Sequence, residues 1–337
     1  MKTKMSVALL TLLISAGCTE NEQITLPDTP VNAVAINLGQ QVNAVTRAVA
    51  SDGVNVSATL LMCDDADWSK FSKVDKNVIE DGHLTSRASI SSASFTVAAT
   101  PANDISLNQL LYYSLDEDVN SFIAGVSPAG KVSDAGASVT FAQVDGTQDV
   151  MWAGTVAVGN AKDVGNAAGT SKYNLEFVHK TTQLNFSISL KRTTGGGEWQ
   201  SKKVALKSIA VQQASVPQSV NVANGEVTWS APVTLKVPGI SEVAIAETAT
   251  GVGESFMINP YNEVILDVVI TVDGAEKIFN NVRVTADGGS DLTREVGKSH
   301  LITLTIQEPA NAEGAVTIKT TATVKPWEQG TSGSAEL

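Results

Sequence analysis

Cysteine is scarce in this chain, with Cys18 and Cys63 as the two examples among 337 residues. So few cysteines exclude a disulfide framework, and the fold must therefore be held together by a hydrophobic core. Cys63 has no basic neighbour that would lower its pKa, so we expect it to pack as a small apolar residue. Aromatic residues make up 5% of the chain, and its three histidines are far apart in sequence. None of the three has a neighbour at zinc-ligand spacing, so we expect no metal site.

Basic residues are also few, and catalytic motifs are missing. The 23 Lys and Arg residues against 35 Asp and Glu give a net charge of −12, which disfavours nucleic acid as a partner because phosphate backbones require clustered basic groups. No GxSxG nucleophile motif is present, and GKS at 297–299 lacks the earlier glycine that a phosphate loop requires. The acidic stretches 63–67 and 115–120 do not fit the spacing of a calcium loop. We therefore expect no enzyme activity, no catalytic residues and no cofactor.

Long apolar runs are absent as well. The longest lies near the N-terminus and has about a dozen residues, whereas a membrane-spanning helix needs roughly 20. It follows Lys2 and Lys4 and precedes small residues, which is the order of an export signal. The end of this signal, LISAGC, resembles the bacterial lipoprotein signal, so we expect 1–17 to be removed and Cys18 to be acylated. The alternative is an ordinary secretory signal cut after Gly17, with Cys18 left unmodified.

Apolar residues recur at every second position along most of the chain, and this period predicts β-strands. The clearest segments are 55–62, 93–99, 149–158, 181–190, 204–212, 299–307 and 316–324. Many short strands with glycine-rich turns predict β-sandwiches. The polar stretch 159–172 is the best candidate for an interior linker, which gives an N-terminal domain over 48–172 and a C-terminal domain over 173–337.

A β-hairpin is predicted where Asp273-Gly274 separates two alternating segments. The first runs over 264–272, and the second is expected to place Ile278, Asn280, Val282 and Val284 on one face. The segment 107–115 is ambiguous, since its leucines also fit the stripe of a short helix.

A further strand is predicted directly before Arg47. The residues expected on its buried face are Val34, Ile36, Leu38, Val42 and Ala44. Small uncharged residues surround the Arg47–Ala48 bond, so a protease could cut it if the loop is exposed. The cut would remove this strand with 18–47 and leave a row of unpaired backbone groups in the sheet. The alternative is that Arg47 is an ordinary exposed loop residue.

The C-terminal segment VTIKTTATV has a similar alternation. The residues expected on one face of it are Val316, Ile318, Thr320, Ala322 and Val324. A strand of this kind can fill a gap in the sheet of another molecule by β-augmentation. Such a head-to-tail contact does not close on itself, so it produces a filament.

Four stretches together resemble the fimbrillin family of Bacteroidia-type (type V) pili. They are LISAGC, VTRA, YNLEFVHKTTQLNFSISL, and REVGKSHLITLTIQ followed by VTIKTTATVKPWEQG. The resemblance implies an all-β chain of two transthyretin-like β-sandwich domains in tandem, exported as an outer-membrane lipoprotein precursor with a lipid anchor. It also implies cleavage after Arg47 by an arginine-specific protease, and assembly with other pilus subunits at the cell surface by strand exchange. On this chain the displaced strand is then 34–46, and the donor strand lies in 314–328.

The rival hypothesis is a surface-anchored glycan-binding lipoprotein. It predicts that Arg47 stays intact and that tryptophans are exposed on a concave face, where sugar rings could stack. The five tryptophans are Trp68, Trp152, Trp199, Trp229 and Trp327. Their wide separation in sequence favours packing in cores or at sheet edges instead. An adhesive subunit would in addition bind a host or bacterial surface ligand, which the sequence does not identify.

Overall fold

In its described residues the chain folds into β-strands joined by turns and loops, as the sequence predicted. The computed structural model describes residues 36–43, 54–71, 78–80, 83–86, 88–96, 103–113, 118–133, 137–142, 145–160, 162, 172–286, 290–311, 314 and 316–326. All of these residues belong to one compact unit, Val34–Leu337. Within these ranges, no helix combines the length and the hydrophobicity that a membrane crossing requires.

The N-terminal half contains twelve strands and one short 3-10 helix in its described residues. They are β1 (Asn37–Asn43), β2 (Asn55–Cys63), the 3-10 helix (Trp68–Lys70), β3 (Val78–Glu80), β4 (His83–Ser86), β5 (Ala88–Thr96), β6 (Asn103–Asp104), β7 (Ser106–Leu107), β8 (Ser121–Ser127), β9 (Lys131–Val132), β10 (Ser138–Thr140), β11 (Met151–Gly159) and β12 (Lys172–His179).

The C-terminal half contributes the remaining strands of the described chain. They are β13 (Thr182–Lys191), β14 (Val204–Ala214), β15 (Pro217–Asn221), β16 (Val227–Trp229), β17 (Val233–Lys236), β18 (Val243–Ala244), β19 (Thr250–Ile258), β20 (Ile265–Val272), β21 (Ala275–Arg283), β22 (Lys298–Gln307) and β23 (Thr317–Pro326). Each of the seven segments that alternation predicted overlaps one of the strands of the structure.

An eight-stranded sheet in the order β6-β1-β12-β11-β8-β2-β5-β7 dominates the N-terminal half. Its two edge strands, β6 and β7, are separated in sequence by Ile105 alone. Since β6 pairs with β1 and β7 pairs with β5, the segment 103–107 joins one edge of the sheet to the other. The sheet therefore closes around a cluster of buried side chains, which we call the inner core. The inner core includes Ile36, Leu38, Leu60, Phe95, Leu111 and Phe177.

Both faces of this sheet are covered at the interior strands β8 and β2. The last six residues of β2 are all buried. Leu60 and Met62 lie in the inner core, whereas Leu61 and Cys63 belong to a second cluster, the outer core. A four-stranded sheet in the order β16-β15-β10-β9 supplies Val139 and other members of the outer core from the opposite side.

The second half forms a sandwich of two sheets around its own hydrophobic core, which we call the C-terminal core. One sheet has the order β19-β13-β22-β23, and the other has the order β17-β14-β20-β21. Buried members of this core include Leu184, Phe186, Leu206, Val268 and Leu304. The alternation of β13, β20 and β22 follows from this arrangement, because each strand turns one face to the sandwich interior.

The structure corrects the expected boundary at 172/173. Strand β12 pairs with β1 and β11 in the sheet of the N-terminal half, so the transition between halves follows His179. The hairpin of β15 and β16 comes from the second half, yet it pairs with β10 and supplies Val220 and Val222 to the outer core. The polar composition of 159–172 indicated a linker, but it gave no information on which sheet the next strand joins.

The ambiguous segment 107–115 does not form the short helix in its described residues. Leu107 ends β7, and beyond it Leu111 and Tyr113 are buried whereas Leu110 is 55% exposed. Residues 107–113 are therefore not helical, and Leu107 and Leu111 contact the inner core.

The hairpin at Asp273-Gly274 is present, with one correction to its second strand. Both turn residues have positive φ, 48° and 82°, as a two-residue turn of this class requires. The pairing of β20 with β21 shifts register between Leu266 and Val268, next to Asn281 at φ 58°. This bulge reverses the face on which side chains lie. Phe279 therefore packs against the C-terminal core, and Ile278 is 60% exposed.

Two alanine substitutions in β21, one on each face of the strand, test this register. Phe279→Ala should lower the free energy of unfolding by about 2 kcal/mol, because it removes a partly buried ring from the core. Ile278→Ala should change it by less than about 0.5 kcal/mol, since that side chain is mostly in water. Urea unfolding of the two variants measures both effects. Equal losses, or a larger loss at Ile278, would contradict the register described for β21.

Candidate functional site

The first strand, β1, occupies a slot between two other strands. It pairs with β12 in parallel over seven residues, from Asn37 opposite Lys172 to Asn43 opposite Val178. On its other side it pairs with the short strand β6 through Gly39 and Gln40. Removal of β1 would therefore expose the backbone edge of β12 along its length and separate β12 from β6.

Side chains and loop hydrogen bonds also hold β1 in this slot. Ile36 is 4% exposed and Leu38 is 1% exposed, and both lie in the inner core. The backbone N–H of Ile36 donates to the carbonyl of Leu111 at 2.8 Å, and the N–H of Ile105 donates to the carbonyl of Leu38 at 3.0 Å. The slot thus offers apolar pockets and unsatisfied backbone groups to any strand that occupies it.

Several residues proposed from sequence lie outside the described part of the chain. They are Cys18, Val34, Ala44, Arg47 and Ala48, and only the backbone is described for Val42 and Val324. The strand bounds nevertheless locate the Arg47–Ala48 bond in the connection between β1, which ends at Asn43, and β2, which begins at Asn55. A cut at this bond separates β1 from β2 and the strands that follow it, and the bond lies outside every described strand.

The C-terminal strand, β23, lies at the edge of its sheet. It pairs with β22 from Lys298 opposite Pro326 to Gln307 opposite Thr317. Ala322 is buried in the C-terminal core, and Val316 and Ile318 are half-buried against it. The other face of the strand, which includes Lys319 and Thr321, is exposed. On its other side the strand makes local contacts with 283–286, where Ala322 forms an isolated parallel bridge with Ala286 and the hydroxyl of Thr320 donates to the carbonyl of Arg283 at 2.9 Å.

A buried carboxylate fixes the chain just before β23. Glu308 is 2% exposed, and its side chain accepts hydrogen bonds from the backbone N–H groups of Thr193 at 2.8 Å and Trp199 at 2.7 Å. The guanidinium of Arg192 lies 3.5 Å from the same carboxylate. Gly197 makes room for it, since a Cβ there would lie 2.4 Å from Cδ of Glu308. The end of β22 is thereby anchored independently of the strand that follows.

A comparison by sequence identifies a family. The sequence model of the fimbrillin-like family matches residues 65–327. This chain belongs to the fimbrillin-like family. As a member of the family it is a structural protein rather than an enzyme. No curated protein sequence matches it.

Two Bacteroides proteins are among the solved structures to which this chain is similar. One is a proposed cell adhesion protein from Bacteroides uniformis, 16% identical, with a TM-score of 0.49 over 88% of this chain and 98% of that one. Another is a fimbrial protein from Bacteroides vulgatus, 11% identical, with a TM-score of 0.47 over 86% of this chain and 99% of that one. At these identities and scores the family assignment rests on the sequence match alone.

The described tryptophans of this fimbrillin-like chain are parts of its cores and strand junctions. Trp68 and Trp199 are 3% and 2% exposed. Trp152 is half-buried, and its indole N–H donates to the carbonyl of Val222 at 2.8 Å. Trp229 is half-buried in β16, and Trp327 lies outside the described residues. A sugar-stacking platform, on which the glycan-binding alternative depends, is not formed by the four described tryptophans.

The described titratable residues form no cluster of three or more His, Cys, Asp or Glu side chains with metal-binding geometry. Cys63 is buried, and desolvation raises the pKa of its thiol to about 11. Nδ1 of His179, at the end of β12, lies 2.9 Å from the buried carboxylate of Asp149. His300 is fully buried in β22, and neither ring nitrogen has a hydrogen-bond partner. Sequence analysis did not predict that His300 is buried. It alternates with Ile302 and Leu304, so it lies on the same buried face of β22 as they do.

The burial of His300 predicts that the free energy of unfolding decreases in acid. Burial lowers the pKa of its imidazole to about 4, so the unfolded chain takes up a proton at His300 between about pH 6.5 and 4 and the folded chain does not. The stability from this residue is complete above about pH 6.5 and falls as the pH is lowered, by roughly 3 kcal/mol in total. His300→Phe should remove this part of the slope in unfolding curves measured from pH 7.5 to 4.5. An unchanged slope would contradict the assignment.

Two alanine substitutions test how much the buried Glu308 carboxylate contributes to stability. Glu308→Ala should lower the free energy of unfolding by about 3 kcal/mol, because it leaves two backbone N–H groups and part of the Arg192 charge unpaired in the interior. Glu247→Ala serves as the control, since Glu247 lies 3.8 Å from the same arginine but is 73% exposed, and it should cost less than about 0.5 kcal/mol. Thermal unfolding of both variants checks this, and similar losses would show that burial is not the cause.

Proposed function

We propose that this chain is a structural or adhesive subunit of a surface fimbria. It is exported as a lipoprotein precursor held in the outer membrane by an acyl group on Cys18. An arginine-specific protease cuts after Arg47, and the chain then joins other pilus subunits by strand exchange. Family membership supports the fimbrial role, and the signal-like sequence LISAGC supports the lipid anchor.

One observation carries the proposal. Strand β1 supplies buried side chains and a seven-residue ladder to the sheet, but it is joined to the remaining described strands through the connection that contains Arg47. Cleavage there converts β1 from part of the chain into a bound peptide. Once cut, β1 can be replaced by another strand that pairs with β12. While β1 is still attached to the chain, its high effective concentration favours it over any competing strand.

The replacement has a clear driving force. An empty slot exposes Ile36 and Leu38 pockets of the inner core to water and leaves the edge of β12 unpaired, and each buried unpaired backbone group costs about 1–3 kcal/mol. An incoming strand fills the two pockets and pairs with the edge of β12, so it removes both costs. The C-terminal strand is a suitable donor, because it is an edge strand with one alternating apolar face. Each subunit then has one slot and one donor strand, which gives a head-to-tail filament.

Arg47→Lys tests the proteolytic step with little other change. The variant keeps the positive charge, but an arginine-specific protease requires the planar guanidinium. Cells that produce it should retain the uncut precursor at the membrane and should assemble no filaments from this subunit. Immunoblotting of cell-surface fractions and electron microscopy measure the two outcomes.

Arg87→Lys is the matched control, since it alters the next arginine along the chain. We expect this control to give mature protein and normal filaments. Normal filaments from Arg47→Lys, with β1 still attached to the chain, would refute the proposed assembly.

A further inference from the structure

We infer that a cleft at one end of the C-terminal sandwich binds one unit of a neutral saccharide. The cleft has a volume of about 310 Å³, which is at the lower end of the range for small-molecule sites. The residues that line it lie between 198 and 316, so it is separate from the slot of β1. The inference rests on the proposed function for the adhesive role alone, and it gives that role a position and a class of ligand.

Three connections at this end of the sandwich form the walls of the cleft. They are the turn 198–202 before β14, the turn between β20 and β21, and the connection between β22 and β23. The N–H of Glu198 donates to the carbonyl of Pro309 at 3.0 Å, which ties the first wall to the third. The N–H of Lys203 donates to the carboxylate of Asp273 at 2.8 Å, which ties the first wall to the second. The cleft is therefore preformed, as ligand sites usually are.

The buried residues that line the cleft are apolar. Trp199 is 2% exposed and Val272 is 5% exposed, and Pro309 is buried as well. Val316 is half-buried and packs against the C-terminal core. The deep part of the cleft can therefore contact the carbon face of a sugar ring, since apolar surface is stabilised when it leaves water.

Charged side chains form the more exposed part of the cleft. The acidic ones are Glu198 and Asp273, and the basic ones are Lys202 and Lys277. All four are half-buried or exposed. Carboxylate oxygens accept hydrogen bonds and ammonium groups donate them, so these side chains can bind hydroxyl groups in both directions. A sugar carries hydroxyl groups around an apolar ring, which matches the arrangement of polar and apolar groups in the cleft.

The charges of the cleft balance, although the chain as a whole has a net charge of −12. Two acidic and two basic side chains give a formal sum of zero. Lys202 and Glu198 also form an ion pair with each other. A charged ligand would therefore gain little attraction from the cleft, and it would lose part of its hydration. A neutral ligand avoids this cost, so the cleft favours a neutral saccharide over a charged one.

Part of the cleft belongs to the proposed donor segment 314–328, because Gly314 and Val316 line it. A subunit that donates this segment loses one wall of the cleft. In a head-to-tail filament, one terminal subunit keeps its own C-terminal strand because no acceptor follows it. We therefore expect sugar binding by the uncut chain and at one end of a filament, and not along its length.

Calorimetric titration of the uncut chain 18–337 tests the cleft before any assembly. The chain carries Cys18→Ala so that it stays free of lipid. The neutral probes are the methyl glycosides of glucose, galactose, mannose, fucose, N-acetylglucosamine and N-acetylgalactosamine, and the charged probes are those of glucuronic acid and N-acetylneuraminic acid. We expect saturable binding of at least one neutral glycoside, with a dissociation constant of about 1 mM. The charged glycosides should bind at least about fivefold more weakly.

Two phenylalanine substitutions in β21 determine whether the sugar lies in the cleft. Ala275 is exposed and lines the cleft, so Ala275→Phe should obstruct it and weaken binding at least about tenfold. Ile278→Phe is the matched control, because Ile278 is 60% exposed on the opposite face of the same strand. This control should leave the dissociation constant unchanged.

A second pair of variants tests the charged part of the cleft. Lys277→Met removes an ammonium group with little change in side-chain length, and it should weaken binding about tenfold because a charged hydrogen bond is lost. Lys236→Met is the control, since Lys236 is exposed in β17 at the opposite edge of the same sheet. Both lysines are on the surface, so neither substitution should prevent folding.

Binding that Ala275→Phe leaves unchanged would place the sugar elsewhere and overturn the inference. Binding of no neutral glycoside, or of the charged ones alone, would also overturn it. Assembled filaments should bind much less sugar per subunit than the uncut chain, and equal binding would contradict the part of Gly314 and Val316 in the cleft. Sugar binding by a chain that forms no filaments would support the cleft and reject the proposed assembly, whereas filaments formed by a chain that binds no sugar would do the reverse.

Discussion

The parallel ladder between β1 and β12 is the interaction on which the N-terminal half depends. Strand β1 lies between β12 and β6, and the segment 103–107 joins β6 to β7 at the far edge of the same sheet. Closure of the sheet around the inner core therefore passes through β1. If the strand leaves and nothing replaces it, the closed sheet opens at this point and the pockets of Ile36 and Leu38 fill with water. A subunit of this design is complete only when a strand occupies the slot.

The slot and the edge strand lie in different halves of the chain. The N-terminal half has the slot, and the hairpin of β15 and β16 from the second half covers its outer core. The second half has the edge strand β23, while Glu308 anchors the end of β22 against Thr193 and Trp199. The hairpin therefore ties the second half to the N-terminal half, and the Glu308 anchor holds the end of β22 within the second half.

Period-two alternation was enough to locate strands with apolar residues at every second position, whether their other face is largely open, as in β22, or covered, as in β13. It failed where that condition does not hold. Six of the seven residues of β8 are buried, since both faces of the sheet are covered, and so β8 has no alternation to detect. Phe279 and Ile278 were assigned to the wrong faces because a bulge near Asn281 changes the register. The partner of β12 depends on long-range pairing, about which local patterns carry no information.

The candidate site was partly accessible from sequence for the same reason. Ile36 and Leu38 belong to a regular alternation, and their burial followed from it. The parallel pairing with β12 and the enclosure by β6 depend on residues far along the chain, so they required the three-dimensional arrangement. The anchor at Glu308 was not predicted, because a buried carboxylate held by backbone N–H groups has no sequence signature beyond the glycines that surround it.

The central claim is that β1 is removed when the subunit matures. The most direct measurement is the N-terminal sequence and intact mass of the protein recovered from filaments on the outside of its own cells. The account predicts a polypeptide that begins at Ala48 and lacks the first strand. A chain that begins at an acylated Cys18, with no shorter form present, would contradict it, because β1 would then remain covalently in its slot.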